Sequence, residues 1–313
     1  MKNPLRIGTR GSPLALAQAF EVRDRLAAAH PALAADGAIE IVVLSTKGDR
    51  ILDRPLAEIG GKGLFTEEIE AGLLDGSLDI AVHSMKDMPT ALPEGLVIPC
   101  LLPREDVRDA VLMRPDLGVD PGAMQRDGVL AALPAGARIG TSSLRRAAQI
   151  RAARPDLAIV GFRGNVQTRM RKLEAGEADA TLLARAGLNR LDLAVGVDLA
   201  PEALLPAVAQ GAIGVECRDG DAETQRLLAA IHCPLTGDRV AAERAMLARL
   251  DGSCRTPIAG LALAEADTLW LRGLVAREDG SGVWRAEARG PRSDAVALGE
   301  QVAAALLQQC GDA

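Results

Sequence analysis

A strand opening that occurs twice constrains this chain more than any other feature. Arg6-Ile7-Gly8-Thr9, followed by Ser12 and a helical stretch containing Gln18, returns as Arg138-Ile139-Gly140-Thr141, followed by Ser142, Ser143 and a helical stretch containing Gln149. A second echo accompanies the first. Gly76-Ser77-Leu78-Asp79 leads into the apolar run Ile80-Ala81-Val82, and Gly176-Glu177-Ala178-Asp179 leads into Ala180-Thr181-Leu182-Leu183. Short apolar runs passing through a turn into a capped helix mark α/β units. The repeat therefore predicts two α/β lobes of related layout, each presenting loops and helix N-termini at the carboxyl ends of its strands, where ligands bind.

Within the first copy, residues 5–9 read as a buried strand, and Ser12-Pro13 supplies an N-cap and a first-turn proline to a helix running towards His30. Residues 114–134, rich in Gly, Pro and Asp, carry no sustained period and read as a connection. At 313 residues the chain exceeds what one core usually organises, which leaves room for a third unit. From about Cys233 the pattern does change, to a helix over 239–250, strands near 258–264 and 268–275, and a last helix from Ser293, an α+β arrangement.

Charge and cysteine usage narrow the function. Thirty-six Lys and Arg against 42 Asp and Glu give −6, which argues against a nucleic-acid-coating surface. Only Lys2, Lys47, Lys62, Lys86 and Lys172 are lysines, so the cations are mostly guanidiniums, suited to gripping carboxylate or phosphate. With no Tyr, three Phe and two Trp, platforms for stacking bases are nearly absent, and a small polyanion is the better ligand. No apolar run approaches the roughly 18 residues of a membrane span. The apolar segment near the N-terminus is broken by Arg10, Gly11, Ser12 and Pro13, so it does not read as a signal peptide and a cytoplasmic protein is expected. Five cysteines with no C-x-x-C pair signal neither a disulfide framework nor a zinc site.

Several segments combine turn chemistry with charge. Gly140-Thr141-Ser142-Ser143-Leu144-Arg145-Arg146 places hydroxyls and free N–H groups at a helix start beside two guanidiniums, and Phe162-Arg163-Gly164-Asn165 followed by Arg169 repeats the arrangement at the next turn. The plain alternative is a helix cap followed by surface arginines. His83-Ser84-Met85-Lys86-Asp87 follows an apolar strand; Asp87 is a candidate acid, a solvated Asp–Lys pair is the alternative, and His83, with no serine elbow to serve, reads as structural. Gly252-Ser253-Cys254-Arg255 sets a thiol in a tight loop beside a cation, a setting for a nucleophile or simply for a small buried cysteine. Gly60-Gly61-Lys62-Gly63-Leu64-Phe65 lacks the ending of a phosphate-binding loop and suits a lid.

Taken together, residues 6–18, 60–65, 79–89, 140–146, 163–169 and 252–257 closely resemble the motifs of the hydroxymethylbilane synthase (porphobilinogen deaminase) family, in the same order and from about Leu5 to the final helix. The resemblance implies two lobes like those of periplasmic binding proteins, with mixed sheets, plus a third α+β domain. The expected units are 1–103 with 208–230, 104–207, and 231–313. It implies a dipyrromethane cofactor on Cys254 through a thioether, four porphobilinogen molecules joined head to tail with loss of ammonia, and release of hydroxymethylbilane by hydrolysis. By motif match Asp87 is the catalytic carboxylate. Lys86, Ser84, Thr141, Ser142, Ser143, Arg145, Arg146, Arg163, Gly164, Arg169, Arg190 and Gln210 hold the cofactor, while Arg10, Ser12, Lys62 and Phe65 meet the substrate. The same resemblance implies a monomer, with no metal, nucleic acid or membrane partner. Ala209 stands where the family usually has glycine, and 114–134 is longer than in many relatives. The rival readings are a two-lobed anion-binding protein without catalysis and, further off, a thiol hydrolase using Cys254, for which no histidine is positioned as base. Intact mass spectrometry of the purified protein separates these: a dipyrromethane increment on Cys254, absent from Cys254→Ser, is expected, and a bare-chain mass would contradict it.

Overall fold

The computed structural model describes residues 4–50, 66–250 and 257–311. Its first sheet contains β1 (Leu5–Arg10), β2 (Ile39–Leu44), β3 (Ile80–Ser84), β4 (Leu96–Leu101) and β10 (Ile213–Arg218) in the order β2-β1-β3-β10-β4. The second contains β5 (Asp109–Met113), β6 (Arg138–Gly140), β7 (Ala158–Val160), β8 (Ala180–Ala184) and β9 (Val197–Leu199) in the order β7-β6-β8-β5-β9. Each sheet has three parallel strands, with β1 or β6 in the middle; β10 or β5 then runs antiparallel to them, and β4 or β9 pairs antiparallel with that strand in turn. The sequence echo is thus a topological repeat, and the sheets are mixed.

The echo also has an atomic cause. Arg6 donates through Nε and Nη2 to the Asp79 carboxylate at 3.1 and 3.0 Å and through Nη2 to the Gly76 carbonyl at 2.7 Å. Arg138 does the same to Asp179 at 3.2 and 2.9 Å and to Gly176 at 2.9 Å. Each pair ties the start of a central strand to the turn that enters its parallel neighbour, fixing register at the edge away from the helix starts.

The helices that matter for the site are α1 (Pro13–Ala29), α2 (Glu67–Leu74), α3 (Leu144–Ala153), α4 (Val166–Glu174) and α5 (Arg185–Asn189), followed by α6 (Ala222–Ala229). α1 begins as expected, with the Ser12 hydroxyl accepting from Ala15 N–H at 3.2 Å and proline at the first helical position. It buries Ala19, Val22 and Leu26 against the first sheet.

The third unit comprises α7 (Pro234–Arg249), β11 (Ile258–Glu265), β12 (Thr268–Ala276), β13 (Val283–Pro291) and α8 (Ala295–Gly311), with the three strands antiparallel. α7 begins at Pro234, five residues before the expected 239, and β13 was not foreseen. The 114–134 connection contains two short helices, Pro121–Asp127 and Val129–Ala132. Among the described residues no helix is long and apolar enough to cross a membrane.

The third unit packs on both lobes. Its core residues Val240, Met246, Leu269 and Val302 belong to one cluster with Met85 and Met88, which flank Asp87. Leu261 and Leu274 join Ala148 and Leu205 of the second lobe. Between the lobes two crossing segments run side by side, Leu102 N–H donating to the Ile213 carbonyl at 3.1 Å and Glu105 N–H to that of Gly211 at 3.2 Å.

One carboxylate knots these pieces together. Glu243 of α7, wholly buried, accepts two hydrogen bonds from Arg104 at 2.6 and 3.0 Å, one from Ala209 N–H at 2.6 Å and one from Ala262 N–H at 2.7 Å. It therefore grips the first crossing, the second crossing and β11 at once. Ala209 has φ 59°, in the left-handed region that glycine favours, and its N–H is one of the four donors that Glu243 satisfies. Glu243→Gln leaves the buried Arg104 guanidinium without its counter-charge; a loss of about 3 kcal/mol, or roughly 10 °C in thermal midpoint, is expected, partly recovered when Arg104→Met is added. Differential scanning calorimetry checks both, and a midpoint unchanged in the single variant would show that the knot is not structural.

Candidate active site

β3 ends at Ser84, and Met85–Asp87 turn directly after it as a single 3₁₀ turn. Met85 is buried and its N–H donates to the Ala212 carbonyl at 3.0 Å, so the turn is anchored from beneath while Lys86 and Asp87 remain exposed. From the other side Arg244 of α7 donates to the Pro89 carbonyl at 2.6 Å and to that of Met88 at 3.3 Å. The first lobe thus presents Asp87 on a turn that the second crossing and the third unit both hold. His83 is buried and bonded through Nε2 to Glu216 at 3.0 Å, the structural role expected of it.

Opposite stands the second lobe. The Ser143 hydroxyl caps α3 by accepting from Arg146 N–H at 3.4 Å, and Asn165 caps α4 by accepting from Thr168 N–H at 2.9 Å. Ser142 accepts from Phe162 N–H at 3.0 Å, and Thr141 from Ser143 N–H at 3.2 Å. These ties hold the two strand-to-helix turns together. In Thr141, Ser142 and Ser143 the hydroxyl oxygen accepts, which leaves the O–H of each able to donate. Gly164 has φ 122°, and a Cβ there would stand 2.5 Å from Thr168 Cγ2; its carbonyl accepts from Arg169 Nε at 2.9 Å.

The lobes face one another through charge. The Lys86 ammonium meets solvent at its surface yet is closely surrounded by protein, as a side chain standing in a cleft is. That crowding pushes its pKa down, reinforced by Arg146 and Arg145 and opposed by Asp87 and Asp109. Arg169 is pushed down to about 10 by burial and by the like charges of Arg146 and Arg163, with Asp87 opposing. Asp87 and Lys86 of the first lobe therefore share one electrostatic neighbourhood with Arg146, Arg163 and Arg169 of the second. Two guanidinium nitrogens here, Arg146 Nε and Arg163 Nη1, are buried and lack a hydrogen-bond partner among the described residues. An unpaired buried donor is costly, and an acceptor entering here would relieve that cost.

Three expected ligand-holding side chains also bond within the protein. Arg145 donates to the Leu205 carbonyl at 2.7 Å and to Asp109 at 2.8 Å. Arg190 bonds Glu21 of α1 at 3.2 Å and the Gly211 carbonyl at 3.1 Å, latching α5 to the first lobe. Gln210 donates to the Val107 carbonyl at 2.8 Å and to Asp109 at 3.0 Å. All three brace the frame of the site, because the acceptors that claim them come from distant parts of the chain. Ser84 is likewise held by Gln18 Nε2 at 2.8 Å, and Arg10 is half-buried at the end of β1. Lys62, Phe65 and Cys254 lie outside the described residues. Gln18, Ser84, Lys86, Gly187 and Arg190 line a cavity of about 30 Å³ where the lobes meet.

Two facing α/β lobes with donors spare for an anion, and a third unit seated against both, fit the class of proteins that hold a small polyanion in an interlobe cleft. Comparison with known proteins makes this specific. Residues 5–226 match the family model of the porphobilinogen deaminase dipyrromethane cofactor-binding domain, and 238–308 match that of the porphobilinogen deaminase C-terminal domain. The chain is 60% identical over 308 residues to a porphobilinogen deaminase of Paracoccus denitrificans, covering 97% of this chain and 94% of that one. It is 54% identical over 290 residues to the chloroplastic enzyme of Oryza sativa, covering 92% and 78%. Among solved structures, the VFT2 domain of Bordetella pertussis BvgS is 16% identical at a TM-score of 0.43, covering 73% of this chain and 86% of that one, too remote to add anything. The chain belongs to the porphobilinogen deaminase family, enzymes of tetrapyrrole biosynthesis with a dipyrromethane cofactor-binding domain.

Gly164→Ala forces both a strained backbone and a collision with Thr168, and is expected to cost about 2–4 kcal/mol. Gly161→Ala, where a Cβ meets nothing within 4 Å, is the control and stays near neutral. Equal thermal midpoints for the two variants would contradict this account of the Arg163–Arg169 turn.

Proposed function

We propose that Asp87 is the carboxylate that carries the deamination and that Arg146, Arg163 and Arg169, with the N-termini of α3 and α4, hold the carboxylates of the pyrrole chain. The observation that carries this reading is the pair of unpartnered guanidinium nitrogens, Arg146 Nε and Arg163 Nη1, in the same electrostatic neighbourhood as exposed Asp87. Porphobilinogen brings an acetate and a propionate on its ring, and its aminomethyl group must leave as ammonia. Loss of ammonia develops positive charge on the adjacent carbon. A fixed carboxylate beside that carbon stabilises the charge and accepts a proton from the nitrogen or the ring. Crowded cations around Lys86 and Arg169 gain when anions enter, so substrate binding is favoured by the same charges that burial penalises.

The donor set fits the dipyrromethane, whose carboxylates suit the orphaned donors. When bound, that group supplies the pyrrole carbon to which the first substrate is added. Cys254 follows Leu250, the C-cap of α7, by four residues, a tether of at most about 14 Å. Since α7 also holds the Asp87 turn through Arg244, the root of the tether and the acid share one support. Arg10 and Ser12, at the helix start beside β1, with Lys62 and Phe65, are assigned to the incoming substrate on the motif match.

Four additions and a final hydrolysis give hydroxymethylbilane. We place the reaction on a single chain and keep the units at 1–103 with 208–230, 104–207 and 231–313, which follow the two crossings. Asp87→Asn is expected to keep its circular dichroism spectrum and thermal midpoint while turnover falls by about 10²-fold or more. Near-normal porphobilinogen consumption by a folded Asp87→Asn protein would refute the assignment.

A further inference from the structure

Asp109 is the first residue of β5, entering the second sheet straight from the first crossing. It is wholly buried, with three side-chain donors upon it: Arg145 Nη2 at 2.8 Å, Arg146 Nη2 at 2.7 Å and Gln210 Nε2 at 3.0 Å. Burial alone would push its carboxyl up, but the charges and hydrogen bonds of Arg145 and Arg146 outweigh that and hold it well below the usual carboxylate range. Asp109 is therefore a permanent anion between two adjacent guanidiniums that would otherwise repel.

The two arginines use it differently. Arg145 spends both terminal nitrogens on protein, Nη2 on Asp109 and Nη1 on the Leu205 carbonyl at 2.7 Å. Arg146 spends Nη2 on Asp109 and Nη1 on the Leu182 carbonyl at 2.9 Å, so two anchors fix its plane, and Nε is left buried with no partner among the described residues. A pair built only for stability would avoid that orphaned donor, because it lowers stability with nothing in return. The anchoring has a purpose if the spare nitrogen awaits a ligand.

We propose that Asp109 is a positioning residue of the reaction, acting through Arg146: it holds that guanidinium in the one orientation in which Nε is left to take a carboxylate of the pyrrole chain. Gln210, from the second crossing, grips the same carboxylate, so the orientation is indexed to the junction between the lobes. This inference rests on the reading of Arg146 as an anion-binding residue.

The test compares Asp109→Asn, Arg146→Leu and the double variant. The comparator is Asp179→Asn, which breaks the Arg138 tie at the far edge of the same sheet. Two quantities are measured: the fraction of purified chain carrying the dipyrromethane increment by intact mass, and the porphobilinogen KM and kcat. Asp109→Asn and Arg146→Leu are each expected to lower the loaded fraction several-fold and to raise KM by roughly tenfold with a smaller change in kcat, as loss of ground-state anion binding does. The double variant is expected to be no worse than the poorer single one, because both changes remove one interaction. Asp179→Asn is expected to lower the thermal midpoint without moving loading or KM.

Normal loading and KM in folded Asp109→Asn, or additive losses in the double variant, would overturn the proposal. Should Asp109→Asn not fold, Asp109→Asn with Arg145→Met removes the uncompensated charge, and the same loading and KM outcomes decide. Absence of the increment from the unaltered protein would instead overturn the cofactor reading beneath it.

Discussion

The buried carboxylate of Glu243 is the interaction on which the rest of this structure depends. Three units meet around two chain crossings, where apolar clusters and the Arg190 latch bring them together. Glu243 ties them by accepting from Arg104 on one crossing, Ala209 on the other and Ala262 in the third unit. A single acid saturated by four donors is worth its desolvation because every lone pair is used. From there a continuous polar chain runs to the binding wall: Arg104 Nε donates to the Gln210 carbonyl at 2.9 Å, Gln210 to Asp109, and Asp109 receives Arg145 and Arg146. The geometry of the cleft is set from behind.

That arrangement explains why the site is assembled from such distant residues. Asp87 rides on a turn held by Ala212 and Arg244, whereas Arg146, Arg163 and Arg169 ride on two capped helix starts of the other lobe. Each wall is rigid by itself. The junction sets how these two walls sit, and α7, which also holds the Asp87 turn, belongs to that junction.

Much of this was legible in the sequence. The repeated openings gave the two lobes because register-fixing pairs such as Arg6–Asp79 and Arg138–Asp179 need the same residues at the same places. The caps at Ser12, Ser143 and Asn165 are local chemistry and could be read locally. What depended on contacts far along the chain could not. The bonds that Arg145, Arg190 and Gln210 make to Asp109, Glu21 and two crossing carbonyls left no mark in the sequence. Asp109 and Glu243 passed unnoticed because a buried acid is spelled like an exposed one; the hint was an Asp heading an apolar run, as Asp79 does. β13 is not legible because its residues alternate between half-buried and exposed, with no apolar run, and the first turn of α7 is not because it holds Thr236 and Gly237 in place of a clear stripe.

The duplicated Arg–Asp ties have a further meaning for the molecule's life in a cell. They sit at the edges of the sheets remote from the chemistry, one per lobe, and neither touches the junction. A lesion at either would loosen half of the protein while leaving the reactive groups in place. Its signature would be accelerated clearance by quality control and low abundance, with the surviving molecules working at full speed.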